Sequence, residues 1–246
     1  MNHQAPQYYC ILVAAGTGHR MGINQPKQYL DIAGRTLLEW SVQPFLECPQ
    51  IRRVVVVLSK EDNQFSQPPL ASHPKITTVP GGQERYQSVL SGLNALSNTV
   101  QGSDWVMVHD AARPNLSIED ALRLIRIVKE HPVGGILGTP VTDSLKVVNH
   151  DNTILTEAER NQVWRAFTPQ MFRFDILLKA LTEVPHHKTP VTDDAAAVGR
   201  LGYQPLMIRG RSDNIKVTTQ EDYEMVKKLM LHKLLMLETT SEEGEL

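Results

Sequence analysis

Along the chain, unbroken apolar runs alternate with stretches in which apolar residues recur every three or four positions. "YYCILVAA" (8–15), "RRVVVVLS" (52–59) and "DWVMVHD" (104–110) are dominated by apolar residues, as strands buried on both faces require. "ITTVP" (76–80) is a shorter run closed by Gly81-Gly82, and "VGGILGTPV" (133–141) is a run punctuated by glycine. Between them, "TLLEWSVQPFLE" (36–47), "ERYQSVLSGLNALS" (84–97) and "IEDALRLIRIVKE" (118–130) carry helical spacing, with Thr36 as N-cap of the first. Two more helices are predicted toward the C-terminus. One is "TDDAAAVGRLG" (192–202), capped by Thr192 or Asp193. The other is "QEDYEMVKKLMLHKLLML" (220–237), whose Met and Leu stripe predicts a core-facing side. The span "RGRSDNIKVTTQED" ends a strand, and its alternation predicts that Lys216 projects to one side of it.

Strands alternating with helices define an α/β fold: right-handed βαβ units, a mainly parallel sheet and helices on both faces. Residues 141–166, "VTDSLKVVNHDNTILTEAERNQVWRA", break that rhythm. They read as short alternating strands around "NHDNT", a β-hairpin arm inserted into a single domain spanning 1–246. An isolated hairpin is marginal in water, so the arm is expected to pack against a second subunit. The acidic tail "ETTSEEGEL" is expected to fray.

Composition narrows the class. Twenty-five Lys and Arg against 27 Asp and Glu give a net charge of −2, which argues against a nucleic-acid binder and leaves room for a local cationic pocket. No apolar segment approaches the ~18 residues that cross a bilayer, and "MNHQAPQ" lacks the order of a signal peptide; a cytoplasmic protein is expected. Cys10 and Cys48 sit in no metal-binding pattern and read as buried thiols.

In sheets of this kind ligands collect beyond the carboxyl ends of the strands, and three segments with chemistry meet there. "AAGTGHRMGINQPKQYL" leaves the first strand through small residues and then presents Arg20 and Lys27. Gly16 and Gly18 lack the third glycine of a dinucleotide fingerprint, and no Walker lysine follows. What remains is a glycine turn whose N–H groups can face an anion, with Pro26 stiffening Lys27. "PGGQERYQS" offers backbone beside Gly82 and the Ser88 hydroxyl, suited to a base edge. "HDAARP" puts Asp110 at a strand tip, suited to Mg²⁺, with Arg113 just beyond; His109 reads as a structural histidine. No nucleophile elbow or zinc motif is present.

Taken in order, "AAGTGHRMGINQPKQYL", "GGQERYQSV", "HDAARP", "RNQVWRAFTPQ", "TDDA" and "DNIKVT" resemble the 2-C-methyl-D-erythritol 4-phosphate cytidylyltransferase family of the non-mevalonate isoprenoid pathway, over nearly the whole chain. The resemblance implies a Rossmann-like homodimer clasped by the β-arm, with CTP and a polyol phosphate as substrates and Mg²⁺ as cofactor. It implies that Ala14, Ala15, Gly16, Gly18, Gly82 and Ser88 hold the cytidine nucleotide and that Arg20 and Lys27 hold its triphosphate. Asp110 would bind the metal. Arg113, Ser144, Arg160, Thr192 and Lys216 would hold the polyol phosphate, Arg160 reaching across from the other subunit. The family can carry an acidic residue where Gln83 stands and threonine where Ser144 stands. Competing expectations are a cytidylyltransferase for another polyol phosphate such as ribitol 5-phosphate, a non-catalytic nucleotide-binding module, and a glycosyltransferase; the last would need an Asp-x-Asp motif that "HDAARP" lacks.

Overall fold

Seven strands form the central sheet of the computed structural model, which describes residues 5–16, 25–65, 70–186 and 189–243, with side chains as far as Met236. The chain opens with β1 (Tyr8–Ala14), a small ribbon β2 (Asp31–Ile32) and β3 (Arg35–Thr36), helix α1 (Leu37–Glu47), then β4 (Ile51–Leu58) and β5 (Ile76–Pro80). Helix α2 (Arg85–Leu96), β6 (Trp105–Asp110), α3 (Ile118–Val128) and β7 (Gly134–Pro140) follow. After the arm strands β8 (Lys146–Val148) and β9 (Ile154–Glu157) come β10 (Trp164–Arg173), α4 (Phe174–Thr182), α5 (Asp194–Arg200), β11 (Leu206–Arg209) and α6 (Gln220–Glu243). The sheet order is β11-β7-β10-β6-β1-β4-β5. β1 runs parallel to β4 and β6, β5 parallel to β4, and β11 parallel to β7. β10 runs antiparallel between β6 and β7. The Rossmann-like α/β expectation holds, with one reversed strand that the apolar pattern does not announce.

Alternation along the strands divides the core. Cys10, Leu12, Val54, Val56 and Met107 pack on one face under Leu38, Val42 and Phe45 of α1 and Leu124 and Val128 of α3. Their neighbours Tyr9, Ile11, Val55, Val57, Val106 and Val108 pack on the other under α2, α4 and α5. Helix starts follow their caps. In α1, Thr36 Oγ1 accepts from Glu39 N–H (3.2 Å) while Glu39 Oε2 accepts from Thr36 N–H (2.6 Å), a reciprocal capping box. In α5 the cap is Asp193, accepting from Ala196 N–H at 2.8 Å, and not Thr192. Cys10 and Cys48 are fully buried thiols.

Three details differ from the sequence reading. Residues 210–219 form no strand, so Lys216 sits on a loop; the loop is anchored where Val217 N–H donates to Ala112 C=O (2.8 Å). Of the α6 stripe, Val226 and Met230 are buried against Ile32, Leu37 and Val217, but Met225, Leu235 and Met236 are more than half exposed; the helix runs past the surface it packs on. The arm is narrower than 141–166: β8 and β9 pair from Lys146↔Glu157, whereas Trp164, Arg165 and Ala166 pair with Pro140, Thr139 and Gly138 in the main sheet. Among the described residues no helix is long and apolar enough to cross a membrane.

Candidate active site

β1 delivers Ala14 to the carboxyl edge of the sheet, and its end is fixed from behind. Gln28, 3% exposed, donates through Nε2 to Ala14 C=O at 2.9 Å. Gln28 lies in a single 3₁₀ turn, Lys27–Tyr29, entered through Pro26 at φ −61°, a backbone angle proline fixes. The same turn presents Lys27, whose Nζ donates to Val217 C=O at 3.0 Å. Beside it, the exit of β5 must pass close. Gly81 N–H bonds Leu58 C=O at 2.7 Å, and a Cβ on Gly81 would stand 2.6 Å from Ala15 Cβ and 2.8 Å from Ser88 Oγ. Only glycine brings this backbone against the first loop. Ser88 is 2% exposed and its Oγ accepts from Gly82 N–H at 3.2 Å, so the hydroxyl braces the glycine turn from beneath.

Asp110 ends β6 almost wholly buried, and three cations surround it. Lys216 Nζ lies 2.8 Å from Oδ2, Arg85 Nε 3.1 Å from Oδ1, and Arg113 Nε 3.8 Å from Oδ2. Burial pushes the carboxyl pKa up, but Arg85 and Lys216 outweigh it and hold Asp110 well below the usual carboxylate range. Its own N–H donates to Thr168 Oγ1 (3.1 Å), and Thr168 Oγ1 lies 2.9 Å from His109 Nδ1. Burial lowers the His109 pKa to about 3, so the ring is neutral at neutral pH. With Arg113 C=O 3.2 Å from Nε2, the consistent tautomer carries its proton on Nε2 and accepts from Thr168 on Nδ1. His109 is structural, as expected.

A cleft of about 280 Å³ opens here, lined by Val13, Ala14, Ala15, Gly16, Lys27, Gln28, Gln83, Arg85, Asp110, Ala111, Ala112 and Lys216. The amines of Lys27 and Lys216 therefore share one cavity with the Asp110 carboxylate. Gly18 and Arg20 lie outside the described residues. Arg113 does not line the cleft; it stands behind Asp110, donating to Asn214 C=O (2.9 Å) and lying over the Phe167 ring. Ser144, Arg160 and Thr192 are exposed and do not line it either; Arg160 donates to Thr142 C=O at 3.2 Å at the base of the arm. The sequence reading passed over Arg85, Asp194 and Gln28. Arg85 opens a helix and resembles any solvated helix-face cation, and only the fold brings Asp194 beside it, 2.9 Å from Nη1.

Among the described residues no group of three or more His, Cys, Asp or Glu gathers as a ready-made metal cage. The donor set nonetheless suits Mg²⁺, which is commonly bound through one or two carboxylates together with substrate phosphates; Asp110, ionised and at the cleft floor, is such a carboxylate.

An α/β sheet with a glycine-lined, cationic cleft at its carboxyl edge defines a nucleotide-phosphate-binding enzyme of the nucleotidyltransferase class. A family model described as IspD, 2-C-methyl-D-erythritol 4-phosphate cytidylyltransferase, matches residues 8–232. The chain is 40% identical over 228 residues to the 2-C-methyl-D-erythritol 4-phosphate cytidylyltransferase of Ectopseudomonas mendocina, covering 92% of this chain and 97% of that protein. Among solved structures it resembles a 4-diphosphocytidyl-2C-methyl-D-erythritol synthase (32% identity, TM-score 0.78, 92% of this chain and 99% of that one). It also resembles the Francisella tularensis 2-C-methyl-D-erythritol 4-phosphate cytidylyltransferase (32% identity, TM-score 0.76, 89% and 97%). The chain belongs to the 2-C-methyl-D-erythritol 4-phosphate cytidylyltransferase family.

Proposed function

We propose that this chain transfers the cytidylyl group of CTP to 2-C-methyl-D-erythritol 4-phosphate, giving CDP-methylerythritol and pyrophosphate. Family membership supports the reaction, and one observation carries it to these residues: Lys27, Lys216 and Asp110 open onto a single cleft. In this reaction a phosphate oxygen of the polyol phosphate attacks the α-phosphorus of CTP, and pyrophosphate leaves. The nucleophile is largely ionised near neutral pH, so no general base is required. The protein's task is to bring two polyanions into line and neutralise the charge that moves onto the leaving group.

Ala14, Ala15 and Gly16, which line the cleft with Gln83, would hold the cytidine nucleotide, with the Gly81–Gly82 turn packed against Ala15. Lys27, together with Arg20, would hold the triphosphate. Lys216 would receive the attacking phosphate. Asp110 would hold Mg²⁺, which when bound supplies further charge neutralisation to the phosphates. Ser144, Thr192 and Arg160 would bind the polyol phosphate, Arg160 from a partner's arm. The arm supports that dimer: Val147, Val148, Ile154 and Leu155 are 44–62% exposed on it, and an exposed apolar hairpin of this kind gains by covering. A cytoplasmic location belongs to the same reading. The test is a pyrophosphate-release assay with CTP, Mg²⁺ and a panel of polyol phosphates, repeated with the other three nucleotides. Fastest turnover with CTP and 2-C-methyl-D-erythritol 4-phosphate is expected; preference for ribitol 5-phosphate would reassign the acceptor, and no release would sink the enzyme reading.

A further inference from the structure

We propose that Asp194, acting through Arg85, is the positioning residue that sets the Asp110 carboxylate for the metal. The inference rests on Asp110 being the metal carboxylate. Arg85 lies between two buried acids: Nε is 3.1 Å from Asp110 Oδ1 and Nη1 is 2.9 Å from Asp194 Oδ2. Asp194 is fully buried, while the Arg85 side chain is 26% exposed and lines the cleft. Asp194 cannot drift. It is the first residue of α5, whose start is clamped by Gln170 of β10: Nε2 donates to Asp193 Oδ2 and Oε1 accepts from Ala195 N–H, both at 2.9 Å. β10 is itself paired to β6, Gln170 opposite Val108, so both carboxylates hang from one rigid sheet.

The energetics favour a positional role. A buried carboxylate is expensive, and an apolar residue would stabilise the same site at lower cost. Asp194 Oδ1 also has no hydrogen-bond partner among the described residues, a feature that calls for a reason beyond packing. The function that fits is restraint. A guanidinium in a cleft that receives polyphosphates would otherwise turn onto them, since it matches phosphate as well as carboxylate. Held at its far end by Asp194, Arg85 stays on Oδ1 and fixes the plane of Asp110. Oδ2, whose nearest partner is the more exposed Lys216 amine, is left to exchange partners.

The experiment measures Mn²⁺ affinity by electron paramagnetic resonance, with a non-reactive α,β-methylene CTP analogue present, alongside steady-state kinetics. Asp194→Asn should weaken Mn²⁺ binding and lower kcat by about 10- to 100-fold, the usual effect of losing an outer support of a metal ligand, with little change in KM for CTP. Arg85→Lys keeps the charge but cannot span two carboxylates, and should lose the same amount. The double variant should be no worse than either single, because both act on one element. Wild-type Mn²⁺ affinity in a folded Asp194→Asn, or losses that add in the double variant, would overturn the proposal; if Asp194→Asn does not fold, Arg85→Lys carries the same decision. Asp110→Asn separates the two readings. If it loses Mn²⁺ while Asp194→Asn does not, the positioning role alone fails; if Asp110→Asn binds Mn²⁺ normally, the metal assignment and this inference fall together.

Discussion

Lys216 and Lys27 are held differently, yet both line the same cleft. Lys216 is ion-paired to Asp110 at 2.8 Å, whereas Lys27 donates to the neutral carbonyl of Val217 at 3.0 Å. Both amines nevertheless face the same cleft, and a preorganised charge contact to a reacting phosphate is typically worth about 10²–10³ in rate. Lys27→Ala and Lys216→Ala should each lower kcat/KM by that order in a protein that still folds, with some loss of stability for Lys216→Ala because Asp110 keeps its buried charge with one cation fewer; an unaltered kcat/KM would remove the residue from the mechanism. A second residue-scale prediction concerns the loop that carries Lys216. Asp213 is held by Arg211 (2.6 Å) and Lys233 (3.1 Å); the Arg211 hydrogen bond leads in lowering its pKa to about 2. A depressed carboxylate contributes stability above its unfolded value of about 3.9 and loses it as pH falls through the folded value. Asp213→Asn should therefore destabilise at pH 5, by less than about 1 kcal/mol for so exposed an ion pair, and the gap should close toward pH 2 in urea melts. A gap independent of pH would rule out the ionic origin. The sequence displays Lys27, Asp110 and Lys216 because each follows an apolar run or lies in a specific motif. Arg85 and Asp194 also lie in quoted motifs, but their pairing is hidden, because it depends on how β10 and α5 are brought round to β6, which no local pattern encodes.

At the scale of elements, caps and faces are legible and strand direction is not. Thr36 and Glu39 fix the start of α1 through side chains three residues apart, and Ser88 Oγ, six residues on, accepts from Gly82 N–H at the turn that closes β5. β10 has the residues of a strand, but periodicity carries no sign for parallel or antiparallel pairing. The connection decides. β7 and β10 pair as far as Pro140↔Trp164, and Val141 N–H still bonds Val163 C=O at 3.1 Å, so the two strands are one hairpin whose turn has grown into the arm. That view makes the arm separable from the sheet. Replacing residues 146–157 by a short Gly-Ser turn should leave circular dichroism and the main unfolding transition intact while sedimentation shows monomer and turnover is lost. A dimer that survives the deletion would place the interface elsewhere. The exposed half of α6 has the same cause as the hidden strand direction: helical spacing marks an apolar stripe, but only the partners Ile32, Leu37 and Val217 decide how much of it is covered.

At the scale of the whole molecule, the cleft of one chain holds Lys27, Asp110 and Lys216, while Arg160 sits at the base of an arm that reaches away from the sheet and binds its own Thr142 carbonyl. If Arg160 completes a neighbour's site, the defect it causes belongs to the other subunit, and symmetry makes that measurable. In a two-fold dimer each subunit's arm serves its partner's cleft. Arg160→Ala should mainly weaken polyol-phosphate binding, and Lys216→Ala should abolish most turnover; each homodimer is impaired at both sites. In a mixed dimer, the cleft of the Arg160→Ala subunit keeps its own Lys216 and receives an intact Arg160, so one site is whole and the other carries both defects. With random pairing, half the dimers are mixed and about a quarter of all sites are restored. Co-expressed variants should accordingly recover about a quarter of wild-type activity at low polyol phosphate, where neither variant alone turns over well. If Arg160 instead folds back onto its own chain's cleft, every mixed dimer contains one site lacking Arg160 and one lacking Lys216, and co-expression recovers nothing beyond the average of the two variants.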